Sequence, residues 1–124
     1  MNQAVRALNE ADAHPGPSLV IAYTHCIAHG IDMSNGIENQ KRAVKSGHFP
    51  LYRYNPMLAK DGKNPLSLDS KEPSLDIGDY MYGELRFRAL KQTSPEKAME
   101  YLETARADAA KRYEMYRHLA EMSC

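Results

Sequence analysis

The sequence predicts an α/β unit with one strand of parallel type buried on both faces, a hairpin at a sheet edge and a long amphipathic helix at the C-terminus. Three observations carry this prediction. The run "SLVIAY" at residues 18–23 is continuously apolar without alternation, the pattern of a strand covered by helices on both faces. Alternation returns in "LYRY" at residues 51–54, between prolines that confine it to an edge. The last third repeats Ala98, Leu102, Ala105, Ala109, Tyr116 and Leu119 on one helical face.

Taken in order, the first element is a helix whose stripe is Ala4, Val5, Leu8 and Ala11. It is already running a few residues after Met1 with no capping residue ahead of it, as in a chain that begins inside a larger protein. "AHPGPS" stops it by about His14, because proline fixes φ and lacks an N–H. The apolar run at residues 18–23 follows. A lone strand cannot satisfy its own backbone, so its neighbours must be supplied from elsewhere.

"SNG" leads into a helix from Gly36 to Lys45 that Ser46 and Gly47 terminate. "FPLYRYNPML" and "LSLDS" bracket an Asp61-Gly62 turn, which predicts a hairpin over residues 51–68. Asp76 and Asp79 favour a helix start at Ile77, and Tyr80, Leu85, Phe87 and Leu90 continue it to Leu90. Thr93 stands three before Glu96, the spacing of a capping box, with Pro95 in the first turn of the final helix.

Composition excludes several classes of function. A chain of 124 residues with 43% hydrophobic content has the makings of one packed domain. Lys+Arg and Asp+Glu balance at 16 each, so there is no field to attract nucleic acid or an anionic membrane surface. No run approaches the roughly 20 apolar residues that span a bilayer, and the N-terminus lacks the regions of a signal peptide. The expected location is cytoplasmic. Cys26 and Cys124 are the only cysteines, which suggests no disulfide framework and a reducing setting.

Chemistry concentrates in "YTHCIAHG", residues 23–30. Cys26 follows the predicted strand, and ligands gather beyond the carboxyl ends of strands in open α/β sheets. Three roles are open for it: metal ligand, nucleophile or small buried side chain. His25, Cys26 and His29 supply three donors where a closed zinc site wants four. A nucleophilic pair needs an imidazole poised beside the thiol; His25 is adjacent and tends to diverge, and His29 meets Cys26 only if helix starts there. Free cysteine is commonly a buried hydrophobe, so local chemistry leaves a core thiol as the simplest reading. The aromatics of "YRYNP" and "DYMY" read as core or interface packing, since no excess of positive charge accompanies them to bind stacked bases.

Longer strings carry more information. "GPSLVIAYTHCIAHGIDM", "FPLYRYNPML", "GKNPLSLDSKEP" and "DYMYGELRFRAL" resemble, in order and over essentially the whole chain, the C-terminal part of the thiamine-diphosphate-binding domain of pyruvate:ferredoxin (flavodoxin) oxidoreductases. "MNQAVRAL" resembles the interior of a helix in that family. The resemblance implies a partial thiamine-binding fold over residues 1–124, as one part of a large homodimeric enzyme. That enzyme converts pyruvate and coenzyme A to acetyl-CoA and CO2 with thiamine diphosphate, Mg2+ and three four-iron four-sulfur clusters, and passes electrons to ferredoxin or flavodoxin.

The resemblance assigns Cys26 as the distant fourth ligand of the cluster nearest the thiamine, the other three ligands coming from far upstream. Thiolates are the usual ligands of such clusters. The sequence has no Gly-Asp-Gly with a following Asn, the family's thiamine and Mg2+ motif, and no Cys-x-x-Cys-x-x-Cys run. No catalytic residue is therefore expected within this segment, and it is expected to be inactive alone. The competing readings are a free-standing helical interaction module and a separately encoded subunit of a split 2-oxo acid oxidoreductase.

Overall fold

The computed structural model describes residues 2–122. The chain runs α1 (Asn2–Ala13), two 3-10 turns (Ile27–His29 and Met33–Asn35), α2 (Gly36–Lys45), β1 (Tyr52–Tyr54), α3 (Met57–Lys60), β2 (Leu66–Leu68), α4 (Ile77–Met81), α5 (Leu85–Thr93) and α6 (Pro95–Glu121). It is an α/β fold in which helices predominate and the only sheet among the described residues is a two-stranded antiparallel pair.

α6 is the spine against which the rest packs. Its 27 residues extend for about 40 Å, and α4, α5 and β2 lie along it. The face predicted to be apolar is the one covered over most of its length: Ala98, Leu102 and Ala109 are buried and Ala105 half-buried. Leu102 and Ala109 join Ile77 of α4 in the core, with Met81 and Tyr82 packed around them. Farther along, Tyr116 stacks on Tyr52 of β1 at 4.5 Å, while Leu119 remains exposed.

The start of α6 departs from the predicted capping box. Ser94 occupies the N-cap without a side-chain cap, and Pro95 fills the first turn. The Thr93 hydroxyl instead donates back to Ala89 O at 3.0 Å, because Thr93 is still the last residue of α5. The two helices follow each other too closely for that threonine to face the second one.

The hairpin forms within the predicted bounds, with Tyr52 opposite Leu68, Arg53 opposite Ser67 and Tyr54 opposite Leu66. Gly62, at φ 66°, turns the chain after α3. Arg53 then fastens α1 to the sheet. Its Nε and one terminal nitrogen donate to the two oxygens of Asp69 at 2.8 and 2.9 Å, the other terminal nitrogen meets Glu10, and Gln3 adds a bond to Asp69 at 3.0 Å. No residue of α1 is buried; of its predicted stripe Ala4, Val5 and Leu8 are exposed and Ala11 is half-buried.

Two expectations are corrected. Residues 18–23 do not form a buried strand: the segment has no regular structure, and Leu19 is 84% and Ile21 70% exposed. Its apolar pattern suits burial on two sides, but no strand among the described residues pairs with it. The helix predicted from Ile77 to Leu90 is two helices. Asp76 caps the first, accepting from Gly78 N at 2.8 Å, and the chain breaks at Gly83 and Glu84, whose backbone is extended at φ −107° and ψ 136°. A Cβ at Gly83 would stand 3.0 Å from Tyr80 O, tighter than side chains ordinarily accept.

The Arg53 hydrogen bonds hold the Asp69 carboxyl below its ordinary range. A carboxylate with a depressed folded pKa stabilises the fold above its unfolded value of about 4, and that contribution fades as pH falls through the folded value. Urea midpoints should therefore drop more steeply from about pH 5 to about pH 3 for the native chain than for Asp69→Asn. Parallel curves for the two proteins would show that this ion pair contributes nothing.

Candidate functional site

Cys26 stands where the irregular segment before it coils into the 3-10 turn Ile27–His29. Its own backbone is extended, at φ −139° and ψ 137°, and its carbonyl accepts the turn's first hydrogen bond from His29 N at 3.0 Å. Gly30 closes the turn at φ 69°, a left-handed conformation in which glycine is favoured. Its carbonyl accepts Leu85 N–H at 3.0 Å, and a Cβ on Gly30 would lie 2.3 Å from Leu85 Cβ. The first residue of α5 thus clamps the end of the turn that Cys26 begins.

The start of the turn is held by α2. The His25 ring occupies the place where a Cβ on Gly36 would stand, 2.3 Å from His25 Nε2. Only a residue without a side chain lets the imidazole approach that helix so closely. Asp32 then caps the next turn, accepting from Ser34 N at 2.9 Å.

Beneath the turn lies a buried polar cluster that sequence reasoning did not find. Glu84 and Tyr80 are fully buried, and Asn39 nearly so. Glu84 Oε1 accepts from the Tyr80 hydroxyl at 3.1 Å and from Asn39 Nδ2 at 3.2 Å, while Oε2 accepts from Arg86 Nε at 2.5 Å. Because the Tyr80 hydroxyl donates to Glu84, it accepts from the Tyr23 hydroxyl, which ties the segment before Cys26 to α4. His29 Nδ1 stands 3.9 Å from Glu84 Oε1. The sequence signal was faint: a glycine-glutamate pair interrupting a helical pattern, with a tyrosine four residues before the glutamate.

Aromatic rings close the cluster. Tyr23 stacks on Phe49 at 5.2 Å and meets His48 edge-on at 5.6 Å, and His48 lies 4.5 Å from the Tyr80 ring. Burial, reinforced by Tyr23 and Glu84, drives the Tyr80 phenol far above its ordinary value, so it remains a neutral donor. Burial and the nearby Arg112 pull His48 down, which favours a neutral imidazole in the stack.

The three donors of "YTHCIAHG" are not gathered into one site. Among the described residues no group of three His, Cys, Asp or Glu side chains is arranged to hold a metal ion. His29 Nδ1 is turned toward Glu84, and Nδ1 of both His25 and His29 is buried without a hydrogen-bond partner. This leaves no oriented thiol and imidazole pair of the kind a cysteine nucleophile requires. Cys26 is a free thiol, half-buried rather than part of the core; Cys124 lies outside the described residues. The donor set fits one thiolate of an iron–sulfur cluster whose other ligands come from elsewhere. It does not fit thiamine diphosphate with Mg2+, for which no carboxylate cluster is present among the described residues.

No family model matches the chain. It is 49% identical over 119 residues, 96% of its length, to the pyruvate-flavodoxin oxidoreductase of Nostoc sp.. It is 49% identical over 120 residues to the pyruvate:ferredoxin oxidoreductase of Moorella thermoacetica, and 42% identical over 120 residues to the probable pyruvate-flavodoxin oxidoreductase of Escherichia coli. In each case the chain spans 10% of the relative's length.

Gly30 gives a direct test of the turn. Gly30→Ala should cost about 1–2 kcal/mol through its left-handed backbone alone, and more through the collision with Leu85. Chemical denaturation of the two proteins reads this. An unchanged midpoint would mean that the turn is not held as described.

Proposed function

We propose, taking as premise that the chain corresponds to one segment of the pyruvate-flavodoxin and pyruvate:ferredoxin oxidoreductases, that it is part of such an enzyme and contributes Cys26 to the iron–sulfur cluster nearest the thiamine. The correspondence is the observation that carries the reading. Spanning at least 119 of 124 residues, it necessarily takes in the Cys26 turn. The half-buried thiol at a clamped turn is suited to the role, because a ligand that completes a site built by other chain must be fixed in place yet reachable.

In such an enzyme pyruvate and coenzyme A give acetyl-CoA, CO2, a proton and two electrons, the electrons passing through clusters to ferredoxin or flavodoxin. Thiamine diphosphate, held with Mg2+ by other portions, supplies the electron sink for loss of CO2. The part played by this chain is positional: it holds one thiolate between a ring packed on α2 and a glycine clamped by α5. Pyruvate and coenzyme A recognition, and the contacts of a homodimer, belong to the remaining nine-tenths of the polypeptide. No helix among the described residues is long and apolar enough to cross a membrane, and the cytoplasm is the proposed location.

The unpaired segment supports the same reading. Leu19, Val20 and Ile21 are exposed here, and in the assembled enzyme strands from outside this chain cover them within the thiamine-binding fold. A chain encoded as a separate subunit would use the same surface, and would co-purify with a thiamine-binding partner. Two outcomes are expected. In the full-length enzyme, Cys26→Ser removes the EPR signal of the cluster nearest the thiamine, and the 124-residue chain alone turns over no pyruvate; an intact signal would defeat the ligand assignment. Amide exchange at Val20 and Ile21 should be slower by orders of magnitude in the full-length enzyme than in the isolated chain, and equal rates would exclude strand pairing.

A further inference from the structure

We propose that Glu84 is a positioning residue for Cys26, acting through the turn that the two share. The inference rests on the reading of Cys26 as a cluster ligand, and concerns what keeps that ligand in place. A carboxylate removed from water is costly unless its oxygens are satisfied, and apolar side chains of similar volume often fill such a place at no loss of stability. Glu84 is fully buried at the one break between α4 and α5. What it organises therefore matters more than how much it stabilises.

Its partners come from separate elements. Asn39 reaches it from α2, Tyr80 from α4 and Arg86 from α5. The remaining approach is from the cysteine turn, where His29 Nδ1 lies 3.9 Å from Oε1. That nitrogen is buried and has no hydrogen-bond partner, so a shift of about 1 Å would give it one. The next backbone N–H after Glu84, that of Leu85, bonds the Gly30 carbonyl at 3.0 Å. At this break the backbone bonds Gly30 and the Glu84 side chain faces His29, so two consecutive residues of the turn adjoin it.

From there to the thiol the path is short. His29 N bonds Cys26 O at 3.0 Å and Gly30 N bonds Ile27 O at 2.9 Å, so the turn has little freedom to absorb a displacement at one end. Moving His29 moves Cys26. A carboxylate on the break, rather than an apolar side chain, gives the turn a fixed electrostatic reference as well as a packing surface.

The experiment uses the full-length enzyme with Glu84→Gln, His29→Gln and the double variant, beside Cys26→Ser. Glutamine keeps the volume of Glu84 and an acceptor for Asn39 and Tyr80, and His29 is only half-buried, so neither change empties the core. Two signals are read: the EPR spectrum and midpoint potential of the cluster that Cys26→Ser removes, and the iodoacetamide alkylation rate of Cys26 in cluster-free protein, resolved by peptide mass spectrometry.

Each single variant is expected to shift the spectrum and potential of that one cluster, leave the others unchanged, and raise Cys26 alkylation at least three-fold. The double variant should do no more than the stronger single, as residues acting in one contact do. Unchanged spectra and alkylation in both singles, or effects that simply add in the double, would overturn the inference even if stability fell. If Cys26→Ser leaves every cluster intact, the ligand reading fails instead, and the alkylation rates still decide whether Glu84 positions the turn.

Discussion

A carboxylate with no access to water sets the terms for this fold. Glu84 must find hydrogen-bond donors inside the protein or raise the energy of the folded state by several kcal/mol, and it finds them on α2, α4 and α5. The break at Gly83 turns it inward. Tyr80 lies on α4 one turn before the break, and Asn39 marks where α2 must lie. Tyr23 then draws the segment before Cys26 onto the same cluster, and the cysteine turn follows. The same break frees the Leu85 N–H to bond Gly30, so the side chain and the backbone are both placed by it.

Much of this was legible in the sequence wherever the determinant was local. Helical spacing marked α1, α2 and α6, with proline or glycine at their boundaries, and the alternation around Asp61-Gly62 marked the hairpin, because neighbours in sequence decide those elements. The run at residues 18–23 was misread for an instructive reason. Its residues record an environment of burial on both faces, and that environment is not supplied by residues 2–122. At Thr93 the capping-box spacing does not act because the threonine is still part of the preceding helix.

The site was legible only in part. Spacing around Cys26 suggested no complete chemistry, and resemblance of long strings was needed to give it a role. Glu84 was invisible by the usual signs, since a glutamate in a helical pattern reads as a solvated face. Burial of its partners decides otherwise, and that is a property of the assembled elements. His25 and His29 look like ligands in a linear reading, yet one packs against a glycine and the other is turned toward a carboxylate.

The polar and apolar groups are distributed unusually for a small domain. Ion pairs and hydrogen bonds hold α1 to the hairpin and the cysteine turn to the helices, while several of the most apolar side chains point outward. The segment from Leu19 to Ile21 carries the sharpest consequence. It is uncharged and rich in strand-forming residues, and no strand among the described residues pairs with it, which leaves an edge that a second copy of the chain can pair with. In the proposed enzyme, strands from outside this chain would cover that edge. Under the proposed assignment, a chain made without strands to cover this segment would pair between copies more readily as its concentration rises, and a chaperone that shields the segment would oppose this.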